Sequence, residues 1–497
     1  MRSKNVVDKK VNVVPVVETL PADLLTPLAV YLKISADSRR SFLFESVEGG
    51  TSLARYSFVG SDPHMLVRGN DQLVITEIKE EIRHEEISIL SYIREHFSTN
   101  HLALDPDLPS FSGGAIGSFG FNCCSWFEPT LKTTLTPTPD DVELMFFRTI
   151  VAFDHARQLI KIISLVFIDE ACGSEEALKQ LFDAATKKNR AIKNKLEADI
   201  LRLPYSGKYE HNKAIRSNFT REQFEDSVNE IKKQIAAGNV YQVVISQRFE
   251  RRTNVSPISI YRAIRRLDPS PYMFLIMNGR GALIGASPEM LVKCKGEELE
   301  YRPIAGTRKR GKTKNEDIKL SEEMLNDPKE VAEHLMLVDL GRNDLGRVAK
   351  YGSVQVKKLM SVEKYSHVQH LVSSLTADLR EDLDRFDALT SCFPAGTVSG
   401  APKIRAIELI SKFEPTDRGL YAGSIGYFDY SGNMDTCIAI RTMHLENGIA
   451  RIQAGAGIVA DSDPSTEYQE TVNKASALLG AIDIAEAQYA NDQEVAV

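Results

Sequence analysis

The sequence predicts an α+β protein in which mixed or antiparallel sheets are flanked by helices. Three observations carry this expectation. Short β-branched and aromatic runs bounded by turn residues occur in both halves of the chain. Capped helical stretches lie among them, but strands and helices do not alternate strictly, which disfavours a doubly wound parallel sheet. No internal repeat of fixed short period and no low-complexity tract interrupts the pattern.

The elements follow in order. Residues 42–47, Phe-Leu-Phe-Glu-Ser-Val, and 149–154, Thr-Ile-Val-Ala-Phe-Asp, are β-rich and short. Residues 159–168 form another strand, which pairs with 149–154 across His-Ala-Arg-Gln. A helix rich in Glu, Ala and Lys spans about 174–201. Residues 202–219 are polar, carry Pro204 and Gly207, and read as a linker between an N-terminal region, 1–201, and a second region, 220–490. That region opens with a capping box, Thr220 as N-cap and Gln223 three residues on, leading an amphipathic helix that ends at Gly238.

The bulk composition limits the function. The 497 residues are enough for two to four domains or one large unit, and 43% hydrophobic with 26% charged residues is ordinary for a globular chain. A net charge of -7 argues against nonspecific binding to nucleic acid or to an anionic membrane. The six cysteines form no Cys-x-x-Cys pair and read as free thiols of a reducing cytosol. The first twenty residues are polar, and no later stretch is apolar enough to span a bilayer, so a cytoplasmic location is expected.

Two carboxylate pairs stand out. Glu330 and Glu333 follow Asp327, a natural N-cap, and Pro328, a natural first helical residue, so they neighbour each other near a helix start beside an apolar stripe of Val331, Leu335 and Val338. Glu467 and Glu470 repeat the arrangement after Pro464, beside Tyr468, Val472, Ala475 and Leu479, with Lys474 nearby. Four carboxylates without histidine or cysteine partners suit a hard cation such as Mg2+, or else merely complement two helix dipoles. Two glycine-rich stretches, 393–403 and 453–459, read as loops whose backbone N–H groups can meet an oxyanion. Neither has P-loop or dinucleotide spacing, which favours a carboxylate ligand over a nucleotide phosphate. Glu289 closes a strand-like run, His370 lies in an apolar strand, and Arg441 is a charge within an apolar run that calls for an anion. The basic loop 302–311 approaches an anion in outline, yet Arg308 and Arg310 read as solvated charges.

Six segments, taken together and in order, resemble the chorismate-utilising enzymes, and within them the large subunits of anthranilate synthases. They are 238–248, 285–289 (Gly-Ala-Ser-Pro-Glu), 302–308 (Arg-Pro-Ile-Ala-Gly-Thr-Arg), 332–344, 393–403 and 453–459. The N-terminal half matches more loosely through 42–46, 55–60 and 113–117, and Phe121-Asn122 departs from the tyrosine–aspartate often found there. The resemblance implies a sandwich of two sheets with helices outside, and the conversion of chorismate and ammonia to anthranilate and pyruvate with Mg2+. It implies that Glu333 and Glu470 bind the metal directly and Glu330 and Glu467 through water. Glu289 becomes the general acid for the departing C4 hydroxyl, and His370 the residue linked to pyruvate elimination. Tyr421, Arg441 and the Gly455–Ala456–Gly457 backbone become the site of the enolpyruvyl carboxylate, with Gly306, Thr307 and Thr397 lining the same pocket and Lys474 beside it. Relatives that carry their own nucleophile, or activate water, use a lysine where this chain has Ala305 or Gln242. Ammonia from outside is then implied, supplied by a separate glutamine amidotransferase subunit, since no Gly-x-Cys-x-Gly elbow is present. A heterotetrameric complex is part of the same expectation. Finally, Glu45, Ser46, Pro271, Tyr272, Met273 and Cys437 match a feedback pocket for tryptophan. The alternatives are an enzyme that stops at the aminated intermediate before pyruvate loss, and a non-catalytic sensing subunit on the same fold.

Overall fold

A computed structural model describes residues 11–46, 55–198, 214–364 and 368–494. Its centre is a pair of twelve-stranded sheets whose ladders are antiparallel. The 149–154 strand forms as Thr149–Asp154 and pairs with Leu159–Phe167 across the expected turn. The 174–201 helix forms over Glu175–Glu197 with Ser174 as N-cap. The capping box of Thr220 and Gln223 opens the Arg221–Ala236 helix, and Gly238 follows it at φ +76°, a conformation that suits glycine. Of the expected linker, 202–213 lie outside the described residues, while Ile215–Ser217 is a strand paired with Phe249–Arg251.

Alternation along the strands decides which faces meet. In Tyr272–Asn278, Phe274 and Ile276 enter the core shared by both sheets, while Met273 and Leu275 face helices on the outside of the first sheet. Phe58 of the first sheet and Tyr427 of the second meet with ring centroids 5.8 Å apart, so the two sheets pack face to face. Helices Pro27–Ser35, Pro257–Leu267 and Pro464–Glu494 cover the outer face of the first sheet. Both sheets draw strands from before and after residues 202–219.

Two crossovers between the sheets position the chemistry. The chain leaves Gly281–Ser287 of the first sheet and enters Met290–Lys295 of the second through Pro288 and Glu289. It returns from Met434–Ile438 to Thr442–Glu446 through 439–441. The crossovers run side by side: the Ile438 N–H donates to the Glu289 carbonyl at 3.0 Å, and the Ala286 N–H to the Arg441 carbonyl at 3.1 Å.

Candidate active site

A cleft of about 650 Å³ opens beside these crossovers. Its walls come from one end of each sheet and from the starts of two helices, Pro328–Gly346 and Pro464–Glu494. It gathers Glu289, Thr397, Gly306, Tyr421, Arg441, Gly455, Gly457 and Lys474 with all four glutamates, Glu330, Glu333, Glu467 and Glu470. Two expected residues stand back from it. Ala456 is fully buried, because successive residues of a strand point to opposite faces. His370 is buried behind Gly306, whose carbonyl accepts from its Nδ1 at 3.0 Å. Of Thr307 only the backbone is described, paired with His370.

Glu289 is 7% exposed, and burial pushes its carboxyl up to about 8 against smaller opposing effects of the Thr397 hydroxyl and the Lys474 charge. It therefore holds a proton at neutral pH. Thr397 lines the cleft beside Glu289, and its buried Oγ1 makes no hydrogen bond of ordinary geometry within the described residues.

The Pro328–Gly346 helix starts as its sequence dictates, with the Asp327 carboxylate accepting from the N–H groups of Lys329 and Glu330. Its buried face differs from the expected one: His334, Leu337 and Val338 are covered, whereas Leu335 is 41% exposed. The helix presents Glu330 and Glu333 to the cleft, facing Glu467 and Glu470. Burial first, and then neighbours including Glu330 and Glu470, raise the Glu333 carboxyl against the opposing Lys329. Burial and Glu470 similarly raise Glu467 against the Ser462 hydroxyl. Three cations partly offset this charge: Arg308 lies 2.7 Å from Glu330, Lys474 2.6 Å from Glu470 and Lys329 3.9 Å from Glu333. Among the described residues no three His, Cys, Asp or Glu side chains form a ready-made metal cage. Crowded carboxylates on two facing helices nonetheless fit a cation completed by water and substrate oxygens.

Three sequence expectations change. The 453–459 stretch is not a loop: it continues the strand Ile449–Ile458, paired with Gln242–Arg252. On its other side the partner strand pairs only as far as Ile452, so 453–458 form a free edge at the cleft, where Lys474 Nζ donates to the Gly455 carbonyl at 3.0 Å. The glycines are there for space. A Cβ on Gly455 would lie 2.7 Å from the Tyr421 hydroxyl, and one on Gly457 2.6 Å from Gln242 Nε2. The basic loop is the strand Ile304–Lys309, bulged at Gly306 with φ +61°. Arg308 and Arg310 are not merely solvated: the first pairs with Asp327 and Glu330, the second with Asp317. Arg441, expected to call for an anion, meets one in Asp268. It occupies the crossover at φ +47°, and 38% of its side chain is exposed.

Lys329, which lines the cleft, and Asp268, the partner of the cleft residue Arg441, are charges that the sequence reading passed over. The i,i+4 spacing of Lys329 and Glu333 is a signal that could have found the first. The pairing of Asp268 with Arg441 joins residues 173 positions apart and leaves no local pattern.

A second, smaller cavity of about 90 Å³ lies between the sheets. It is lined by Glu45, Ser46, Pro271, Tyr272, Met273 and Cys437, together with Phe44, Tyr56, Phe58, Tyr427, Lys293 and Asp435. The Tyr272 hydroxyl donates to Asp435 Oδ1 at 3.0 Å, and Lys293 lies 3.3 Å from Asp435 Oδ2. The Glu45 carboxylate is engaged on the opposite face of its strand, accepting from the Tyr261 hydroxyl at 2.5 Å and pairing with Arg265.

Comparison with known proteins agrees with this architecture. Residues 25–480 match the chorismate binding enzyme family. The chain is 43% identical to probable anthranilate synthase component 1 of Schizosaccharomyces pombe, over 97% of this chain and 96% of that one. It is 44% identical to anthranilate synthase component 1 of Aquifex aeolicus, over 96% of each. The crystal structure of anthranilate synthase component I from Streptococcus pneumoniae superposes with a TM-score of 0.72 at 35% identity, covering 93% of this chain and 99% of that one. The menaquinone-specific isochorismate synthase of Escherichia coli, 20% identical with a TM-score of 0.69 over 96% of this chain and 97% of that one, shares the fold.

Proposed function

The chain belongs to the chorismate binding enzymes, and from that premise we propose that it is the large subunit of an anthranilate synthase, converting chorismate and ammonia to anthranilate and pyruvate. The observation that carries the reading is the convergence of a protonated carboxyl, Glu289, with facing carboxylates and an edge strand of glycines in one cleft. Glu289 gives its proton to the departing C4 hydroxyl as ammonia adds at C2 of the ring. Thr397 is the hydroxyl beside it. Ala305 and Gln242, where lysine would supply or activate a nucleophile, both line the cleft, which supports a nucleophile brought from outside. The enolpyruvyl carboxylate is read at Arg441, Tyr421 and the Gly455–Gly457 edge. Lys474 straps that edge to its helix. His370, buried beside Gly306, is assigned to pyruvate elimination by the family resemblance.

Glu333 and Glu470, with Glu330 and Glu467 behind water, are the residues that would hold Mg2+. When bound, the ion supplies charge neutralisation for the ring carboxylate and polarisation of the ring. A glutamine amidotransferase subunit is the proposed ammonia source. The smaller cavity is the proposed tryptophan site: its aromatic walls suit an indole, and the Tyr272–Asp435–Lys293 cluster offers charged and polar partners.

The test is direct. The purified chain, incubated with chorismate, an ammonium salt and Mg2+ at alkaline pH, forms fluorescent anthranilate with equimolar pyruvate. Folded protein that yields no anthranilate refutes the reading. An aminated product without pyruvate points instead to an enzyme that stops at the intermediate.

A further inference from the structure

Arg418 lies beneath the cleft floor with 1% of its side chain exposed, and the sequence reading gave it no role. Its guanidinium meets five residues from separate parts of the chain. Nε and Nη2 pair with the Glu414 carboxylate at 2.6–3.2 Å. Nη1 donates to the Val398 carbonyl at 2.7 Å, and Nη2 to the Val244 carbonyl at 2.7 Å. The planar group also lies 5.3 Å from the Tyr421 ring centroid and 4.7 Å from that of Phe121. Glu414 is held in turn: one of its oxygens accepts from the N–H and the hydroxyl of Ser246, each at 2.8 Å. The Ser246 hydroxyl also accepts from Gln453, a cleft residue.

Each hydrogen-bonding anchor of this network, and Tyr421, lines the cleft or adjoins a cleft group. Val398 follows Thr397 in the one-turn helix Gly396–Val398, and Thr397 is the hydroxyl beside Glu289. Val244 and Tyr421 themselves line the cleft. A buried ion pair is costly to desolvate and weak evidence of a gain in stability, so its retention here calls for another account. Only an arginine can meet the Glu414 carboxylate and two divergent carbonyls in one plane; a lysine ammonium has neither the fork nor the reach.

We propose that Arg418 is a positioning residue: it fixes the Thr397 turn and Tyr421 relative to strand Gln242–Arg252, and so sets the geometry in which Glu289 and Thr397 meet the substrate. The inference rests on the chorismate reading of the cleft. Loss of the fork lets the turn shift, and a shift of about 1 Å at a reacting group can cost about 10²-fold in rate.

The test compares Arg418→Lys with Arg251→Lys in the full chain, using chorismate, ammonium and Mg2+. Arg251 forms a similarly buried pair with Glu486 on the outer helix layer, away from the cleft, and serves as the control for a loss that is only structural. Thermal midpoints are measured alongside kcat and KM for chorismate. Arg418→Lys should lower kcat by about tenfold or more with KM within about threefold, while Arg251→Lys, destabilised to a similar degree, keeps its kcat. Wild-type kcat in Arg418→Lys, a loss confined to KM, or equal kcat losses in both variants would overturn the inference. If Arg418→Lys does not fold, Glu414→Gln carries the same test: a several-fold fall in kcat at constant KM supports it, and an unchanged kcat overturns it. An inactive wild-type chain would instead refute the chorismate reading, which keeps the two failures apart.

Discussion

Arg441 donates from a single guanidinium nitrogen, Nη1, to both carboxylate oxygens of Asp268, each at 2.8 Å. The pair joins two segments that each lead to the smaller cavity. Arg441 ends the crossover that begins just after Cys437, and Asp268 precedes Pro271 and Tyr272 by only a few residues. Cys437, Pro271 and Tyr272 line the smaller cavity, while Arg441 lines the cleft. A ligand that moved the 268–272 segment would act on a cleft arginine through one ion pair.

Asp268→Asn keeps the side-chain shape and removes the charge. Half-inhibition by tryptophan should then need about fivefold more inhibitor or greater, equivalent to about 1 kcal/mol of coupling, with uninhibited turnover changed much less. Inhibition titrations of wild type and variant decide it. An unchanged titration would make the pair a local strut with no part in communication.

The proton on Glu289 links catalysis to stability. Its carboxyl is raised from 4.5 to about 8, so the folded chain keeps a proton that the unfolded chain releases. The associated stabilisation is complete below the unfolded value and is lost as pH rises through about 8, with an upper bound of about 5 kcal/mol. Glu289→Gln removes that dependence. The variant should lose at least about 10²-fold in kcat yet melt increasingly above wild type between pH 5 and pH 9. Melting curves at the two pH values check this; a constant difference would mean that Glu289 does not titrate in that window. In the wild type, turnover at a fixed concentration of free NH3 should decline above about pH 8 as the acid is lost.

How much of this was legible beforehand depended on whether the signal was local. The Thr220–Gln223 capping box, the Asp327–Pro328 helix start and the strand Thr149–Asp154 are written in a few adjacent residues, and each forms as read. The Glu-x-x-Glu pairs were visible singly, but their facing each other needs the path of both helices. The glycines at 455 and 457 read as a loop because glycine is depleted in strands. Their reason is the close approach of Tyr421 and Gln242, which no local pattern contains. The partners of Arg308 and Arg441, and the carbonyls that Arg418 meets, were out of reach for the same reason. Charges in an apolar run announce that a partner exists, not which one.

The facing glutamates give a metal prediction that separates binding from folding. Glu470→Ala removes one carboxylate and frees Lys474 from a contact of 2.6 Å. The Mg2+ concentration for half-maximal activity should rise by about tenfold or more, while the thermal midpoint without Mg2+ stays near wild type or rises as like-charge crowding is relieved. Magnesium titrations of activity, with melting curves in a chelator, check both halves. Unchanged Mg2+-dependent activity would remove Glu470 from the metal set.

Ala305 allows a test of where the nucleophile comes from. It lies in the strand Ile304–Lys309 on the cleft wall, next to the bulge at Gly306 that brings this strand within reach of Glu330. A Cβ on Gly306 would come within 3.0 Å of Glu330 Oε2, the end of a side chain that reaches this bulge. In Ala305→Lys the new amine enters the cleft among four carboxylates. Two consequences follow from the chemistry: the amine competes with ammonia for the ring carbon, or it occupies the place of a cation near Glu330. Either way, ammonia-dependent anthranilate formation should fall by about tenfold or more. The two routes differ in the intact mass of protein quenched during turnover. Attack on the ring leaves a covalent adduct, whereas ion pairing leaves the mass unchanged and is relieved in part by added Mg2+. Anthranilate turnover at the wild-type rate would show that position 305 does not face the reacting carbon.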